Sequence, residues 1–120
     1  MKAKNLALIL VTGISLAGCG FGKIYYYEGK IGNESIITSN NRTNIFNLYV
    51  TKEDGRKIDY YDFIRNGKLD SVTITKGKES QTYTEDIIGK EALQVAQKQY
   101  TDYLAKILEI KKKQALEDIQ

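Results

Sequence analysis

The stretch Phe46–Thr75, FNLYVTKEDGRKIDYYDFIRNGKLDSVTIT, alternates apolar and polar residues in short runs that glycine-containing turns separate. Short runs with this alternation are typical of half-buried β-strands. The pairs Asp54-Gly55 and Asn66-Gly67 favour tight turns between antiparallel strands. This stretch therefore predicts the centre of an antiparallel β-meander.

Turn chemistry also predicts how these strands pair. With two-residue loops at both Asp-Gly and Asn-Gly, Leu48 lies opposite Tyr61, and Tyr61 lies opposite Val72. A third turn at Gly77-Lys78 places Tyr83 opposite Val72. This register gathers apolar side chains on one face, which we expect to be the core face: Phe46, Leu48, Val50, Tyr61, Phe63, Val72, Ile74 and Tyr83. Ile58 and Tyr60 are then expected on the opposite face.

The flanking sequence extends the sheet and adds a helix. The runs KIYYYEGKI, ESIIT and SQTYTE complete an expected sheet of five or six strands over residues 24–85. Residues 86–119 hold no proline, and apolar residues recur there at helical spacings of three and four. We predict a single α+β domain over residues 24–120, an antiparallel meander followed by one long C-terminal helix. The helix should pack on the sheet with its first half and project with its second.

The composition excludes several kinds of chemistry. The chain has 120 residues, room for one domain, with one cysteine and no histidine. It therefore has no internal disulfide, thiolate metal cluster or common zinc site. Ser-His-Asp and Cys-His catalysis are excluded as well. We predict a protein that is not an enzyme.

The first 19 residues have the layout of a targeting segment. A basic start with Lys2 and Lys4 precedes the apolar run Leu6–Ser15, and small residues lead to the unique cysteine in Leu16-Ala17-Gly18-Cys19. The apolar run is shorter than the roughly 20 residues that span a bilayer. The whole pattern resembles the signal of prokaryotic membrane lipoproteins, whose lipobox is Leu-Ala-Gly-Cys.

The resemblance implies a location and a modification. In that family, cleavage between Gly18 and Cys19 removes residues 1–18, and the Cys19 thiol carries diacylglycerol with fatty chains such as palmitate. Residues 19–23 would then be the lipidated cysteine and a short tether. The folded part would be held on the extracytoplasmic face of a membrane by two fatty chains, which suffice for stable anchoring.

Expected partners follow from this location. Loss of Lys2 and Lys4 lowers the formal net charge from +3 to +1, so we expect no nucleic-acid binding. Besides the membrane itself, we expect an envelope protein partner. Candidate contact residues are the amphipathic Tyr25, Tyr26 and Tyr27 near the tether and the cationic Lys111, Lys112 and Lys113 of the helix.

One stretch suggests calcium. Asp62–Asp70, DFIRNGKLD, resembles the calcium loops of EF-hands and dockerins at Asp62, Asn66, Gly67, Leu69 and Asp70. It departs from them at Ile64, where an oxygen ligand is needed, and at Thr73, where the bidentate glutamate belongs. A two-residue hairpin also points Asp62 and Asp70 to opposite faces. We predict no metal or other cofactor, with Asp62, Asn66 and Asp70 as the candidate ligands to test.

These observations favour a non-catalytic binding or assembly module of the cell envelope. A module that binds calcium or a saccharide is the alternative. A hydrolase that uses Asp59 and Asp70 as an acid–base pair is a further alternative, because the predicted register places both on one face.

Overall fold

The strands follow one another across a single sheet. The computed structural model describes residues 26–40, 46–64 and 66–120. Within these ranges, six strands form one antiparallel sheet in chain order, and one helix follows them. The elements are β1 (Glu28–Ile31), β2 (Glu34–Asn40), β3 (Phe46–Thr51), β4 (Lys57–Asp62), β5 (Ser71–Lys76), β6 (Glu79–Tyr83) and α1 (Lys90–Asp118). The predicted α+β class and its meander with a C-terminal helix are confirmed.

The loop at Asp54-Gly55 is longer than predicted. The Lys52 N–H donates to the Arg56 carbonyl oxygen at 2.8 Å, which leaves three residues between the paired ends. Gly55 has φ +93°, the left-handed conformation found at the last position of three-residue hairpin loops. The Asp54 carboxylate accepts the Arg56 N–H at 3.1 Å. The Asp-Gly pair therefore closes a three-residue loop.

The extra loop residue changes which side chains reach the core. Leu48 pairs with Tyr60, and Tyr60 pairs with Val72, so the predicted pairing of both with Tyr61 was wrong. A slip of one residue exchanges the two faces of a strand. Ile58 and Tyr60 are accordingly buried, whereas Phe63 is 47% exposed. The Gly77-Lys78 turn has the predicted length, and Val72 pairs with Tyr83 as expected.

The helix covers the face of the sheet to which these buried side chains point. Its start lies after the predicted Asp86, because Asp86 instead accepts the Gly89 N–H at 2.6 Å in a preceding turn. Gly89 is required there, since a Cβ would lie 2.7 Å from the Thr84 nitrogen. The core combines both layers: Ile36, Phe46, Leu48, Val50, Ile58, Tyr60, Leu69, Val72, Leu93, Ala96, Tyr100, Tyr103, Leu104 and Ile107.

The end of the helix leaves the sheet. Its last buried residue is Ile107, and residues 112–120 are all exposed. The predicted projection of the second half of the helix is confirmed.

Candidate functional site

The most strongly buried carboxylate of the described chain, Asp62, lies where β4 ends under the helix. Its side chain is fully buried. One carboxylate oxygen accepts the Asn66 N–H at 3.1 Å. The other accepts the Gly67 N–H at 2.8 Å and the Tyr100 hydroxyl at 3.1 Å. Asp62 therefore organises the connection that follows it and joins that connection to the helix.

Gln97 makes a second junction between the same loop and the helix. Its side-chain oxygen accepts the Leu69 N–H at 2.7 Å, and its nitrogen donates to the Gly67 carbonyl oxygen at 2.9 Å. An amide side chain can satisfy a donor and an acceptor of a neighbouring backbone in this way. The signal for this role is weak in the sequence, because glutamine is also a common residue of exposed helix surfaces.

This connection is not the predicted two-residue turn at Asn66-Gly67. β4 ends at Asp62 and β5 begins at Ser71, so residues 63–70 all lie between the strands. The Asp70 N–H still donates to the Tyr61 carbonyl oxygen at 2.9 Å, which closes the connection at its base. Gly67 has φ +88°, which favours glycine. The residue spacing that resembles a calcium loop thus belongs to a loop that surrounds the Asp62 carboxylate.

The candidate calcium ligands are engaged by the loop's own N–H groups. Besides the contacts of Asp62, the Asp70 carboxylate accepts the Phe63 N–H at 2.6 Å, and the Asn66 side-chain oxygen accepts the Lys68 N–H at 3.0 Å. In the ranges that the structure describes, no group of three or more histidine, cysteine, aspartate or glutamate side chains is placed to hold a metal ion. No observation in these ranges favours calcium.

Burial opposes the charge of Asp62. It raises the pKa of this carboxyl above its ordinary value, and the Gly67 and Asn66 N–H groups and the Tyr100 hydroxyl offset only part of that effect. The neighbouring Asp70 carboxylate raises the pKa further. A buried carboxylate that accepts hydrogen bonds from its own loop and from the helix is suited to holding a structure together.

Asp59 and Asp70, the proposed acid–base pair, lie in different parts of the structure and accept hydrogen bonds from different donors. Asp59 lies on the sheet face opposite the helix, where its carboxylate accepts the Tyr61 hydroxyl at 3.4 Å. Asp70 lies in the loop and binds the Phe63 N–H. Burial raises the pKa of Asp59, although Tyr61 and Lys57 partly counter it. The corrected register removes the shared face on which the hydrolase alternative was based.

A second polar cluster joins the helix to the first residue of β2, Glu34. Glu34 accepts the Tyr103 hydroxyl at 2.5 Å and the Lys52 ammonium group at 2.8 Å. Burial opposes ionisation of Glu34, but the hydrogen bonds from Lys52 and Tyr103 outweigh it and hold the pKa of Glu34 below its ordinary value. Neither Glu34 nor Lys52 was singled out from sequence, because their pairing requires β2 and β3 to be neighbours.

This cluster predicts an acid-sensitive contribution to stability. A carboxyl whose folded pKa is depressed stabilises the fold above its unfolded pKa, near 4.5 for Glu34, and loses that contribution as pH falls through the folded pKa. The unfolding free energy of Glu34→Gln, measured by urea denaturation, should therefore fall less between pH 7 and pH 3 than that of the wild type. Glu85→Gln, at an exposed glutamate before the helix, should keep the wild-type dependence. Equal slopes for Glu34→Gln and wild type would contradict the prediction.

Two of the three candidate tyrosines lie at the start of the described chain. Tyr27 is half-buried, and its N–H donates to the Thr38 hydroxyl at 2.7 Å while its carbonyl oxygen accepts the Thr38 N–H at 2.9 Å. Tyr26 is 62% exposed. Gly18, Cys19 and Tyr25 lie outside the described residues.

The structure brings one of the candidate lysines to a candidate tyrosine. The Lys111 ammonium group lies 6.0 Å from the centre of the Tyr26 ring, within the range of a cation–π contact. Lys112 and Lys113 are exposed on the next part of the helix. Tyr26 and Lys111, 85 positions apart in the sequence, thus lie on one surface.

Comparison with known proteins adds no relative. No family model, curated protein or solved structure matches the chain. Among the helices in the described ranges, none is long and apolar enough to span a membrane.

Proposed function

We propose that this chain is a membrane lipoprotein, held on the extracytoplasmic face through diacylglycerol on Cys19. Its domain would act as a non-catalytic binding or assembly module of the cell envelope. The observation that carries the proposal is the lipobox Leu16-Ala17-Gly18-Cys19 behind a basic start and an apolar run. Only sulfur accepts the lipid in proteins with this signal, and this chain has a single cysteine, at the required position.

The distance from Cys19 to the sheet supports an anchoring role. Tyr26 follows Cys19 by seven positions, and Tyr27 already pairs with Thr38 of β2. Seven residues reach at most about 25 Å. A lipidated Cys19 would therefore keep the domain close to the headgroups, where it can meet other envelope proteins.

The surroundings of the buried acids support a non-catalytic module. Asp62 and Glu34 bind N–H, hydroxyl or ammonium groups of the fold itself. A general acid or base has to lie within hydrogen-bond reach of a substrate. The known contacts of these two carboxylates instead join the sheet and its loops to the helix, which is a structural use.

A labelling experiment tests the lipoprotein assignment. The wild-type chain, expressed in a bacterium with radiolabelled palmitate, should incorporate label and fractionate with membranes. Its mass should match a chain that begins at a diacylglyceryl Cys19. Cys19→Ala should incorporate no label, because it lacks the thiol. An unlabelled wild-type product that still carries residues 1–18 would refute the proposal.

A further inference from the structure

Beyond the point where the helix leaves the sheet, its apolar residues lie on a different side of the helix. Up to Ile107 its apolar stripe faces the core. Beyond it, Leu108, Ala115, Leu116 and Ile119 recur at spacings that place them on one side of the helix, roughly a third of a turn from Ile107 at 3.6 residues per turn. We call this second set the terminal stripe. Leu116 is 59% and Ile119 83% exposed, so most of the terminal stripe serves no contact within the described fold.

Charges are distributed unevenly around the terminal stripe. Lys112 lies within it and Lys111 borders it on the side nearer the core, while Glu109 borders the opposite edge. Glu117 lies on the other side of the helix, Lys113 lies between Glu117 and Glu109, and Asp118 lies beside Lys111. Long lysine side chains can extend from such a stripe to neighbouring anionic groups while their methylene stems cover apolar surface. The cationic part of this surface comprises Lys111 and Lys112.

The same surface lies beside the point where the chain arrives from Cys19. The Lys111 ammonium group is 6.0 Å from the Tyr26 ring, and Tyr26 is seven positions from the cysteine. A lipid on Cys19 would confine Tyr26, and Lys111 with it, to within about 25 Å of the bilayer surface. Tyrosine is also enriched at the headgroup level of membranes.

We infer that residues 108–119 lie on an anionic lipid surface, with the terminal stripe toward the acyl boundary and Lys111 and Lys112 toward lipid phosphates. This inference rests on the proposed lipid anchor, which holds the helix near the bilayer. An amphipathic helix binds such a surface through its apolar face and its cationic side chains. A second copy is a poorer occupant, because about three turns with a central lysine supply too short a seam for a coiled coil.

Tryptophan fluorescence can test this contact, since the chain has no tryptophan. Leu116→Trp places the probe in the terminal stripe. Gln114→Trp is the matched control, because position 114 is exposed on the opposite side of the same turn. Both lipidated full-length products would be reconstituted into vesicles of phosphatidylcholine with or without phosphatidylglycerol. Vesicle lipids with brominated acyl chains would quench the fluorescence of a tryptophan that is buried among them.

We expect the probe at position 116 to shift to shorter wavelength and be quenched in phosphatidylglycerol vesicles, and the probe at 114 to do neither. Replacing Lys111 and Lys112 with glutamine in the Leu116→Trp chain should lower the ratio of docked to undocked helix, at roughly fivefold for each lysine. Quenching at 116 that disappears with this replacement would support the inference.

Each contrary result overturns it in a recognisable way. A lipidated chain whose probes at 116 and 114 behave alike would refute lipid contact while leaving the anchor intact. A shift at 116 that depends on the protein-to-lipid ratio rather than on phosphatidylglycerol would assign the stripe to a second copy. Absence of lipid on Cys19, read from the mass, would refute the anchor and this inference together.

Discussion

Replacing Asp62 with alanine is expected to lower the free energy of unfolding by about 3 kcal/mol. The substitution leaves the Asn66 and Gly67 N–H groups and the Tyr100 hydroxyl without their acceptor at a fully buried position. Each buried polar group left unsatisfied costs about 1–3 kcal/mol, and water that enters the space offsets part of the sum. Domains of this size are stable by only about 5–15 kcal/mol.

Urea denaturation monitored by far-ultraviolet circular dichroism measures this loss. The matched control is Asp54→Ala, which removes a carboxylate whose side chain is 58% exposed and whose partner is Arg56 in the same loop. We expect a much smaller change for the control, because exposed ion pairs contribute little. Similar midpoints for the two variants would show that Asp62 does not stabilise its loop.

The same loop separates the calcium alternative from the structural role. If Asp62, Asn66 and Asp70 bound calcium, the cation would compete for oxygens that already accept the N–H groups of residues 66, 67, 68 and 63. The wild-type thermal midpoint is therefore expected to be unchanged by millimolar calcium. An increase that Asp62→Ala abolishes would favour the metal.

The order of the elements could be predicted from sequence because it depends on local signals. Apolar alternation marks strands, Gly77-Lys78 marks a hairpin, and the repeat from Leu93 to Ile107 marks a helix. All of these act within a few residues of one another. Their positions along the chain specify a meander followed by a helix, which the structure confirms.

The register could not be predicted in the same way, since two readings are locally consistent. Asp54-Gly55 is compatible with loops of two or three residues. Adjacent Tyr60 and Tyr61 give each of the two alternating sets of this run two apolar side chains, Ile58 and Tyr60 in one and Tyr61 and Phe63 in the other. One of the donors that compensate for the burial of Asp62 is Tyr100, which lies 38 positions away.

In the candidate site, too, features that depend on nearby residues could be predicted from sequence, and features that depend on distant residues could not. The spacing of Asp62, Asn66, Gly67 and Asp70 correctly marks a loop built on carboxylates, but the choice between a metal and an N–H group as partner depends on the loop's environment. Gln97 and Tyr100 carry no local signal for that role, because each looks like an ordinary helix residue. Only the packing of α1 on β4 and β5 reveals it.

Replacing Tyr100 with alanine is expected to have the largest effect of any single substitution considered, about 4 kcal/mol of unfolding free energy. Its ring is fully buried, stacks on Tyr60 at 6.0 Å between centroids and lies 6.4 Å from Phe46. Truncation of a buried aromatic side chain costs about 3–5 kcal/mol, because a cavity replaces the ring. The hydroxyl bond to Asp62 is lost as well.

Tyr100→Phe divides this loss between the ring and the hydroxyl. It keeps the ring and removes the hydroxyl that donates to Asp62, so we expect a cost of about 1–2 kcal/mol. In the Asp62→Ala background the same change should cost less, because its acceptor is already gone, and a double-mutant cycle measures that coupling. Val95→Ala, at a position of the same helix that is 59% exposed, should change stability by less than about 0.5 kcal/mol. If Tyr100→Ala proved no more harmful than Val95→Ala, the helix could not be packed on the sheet through this ring, and the junction between Asp62 and α1 would have to be abandoned.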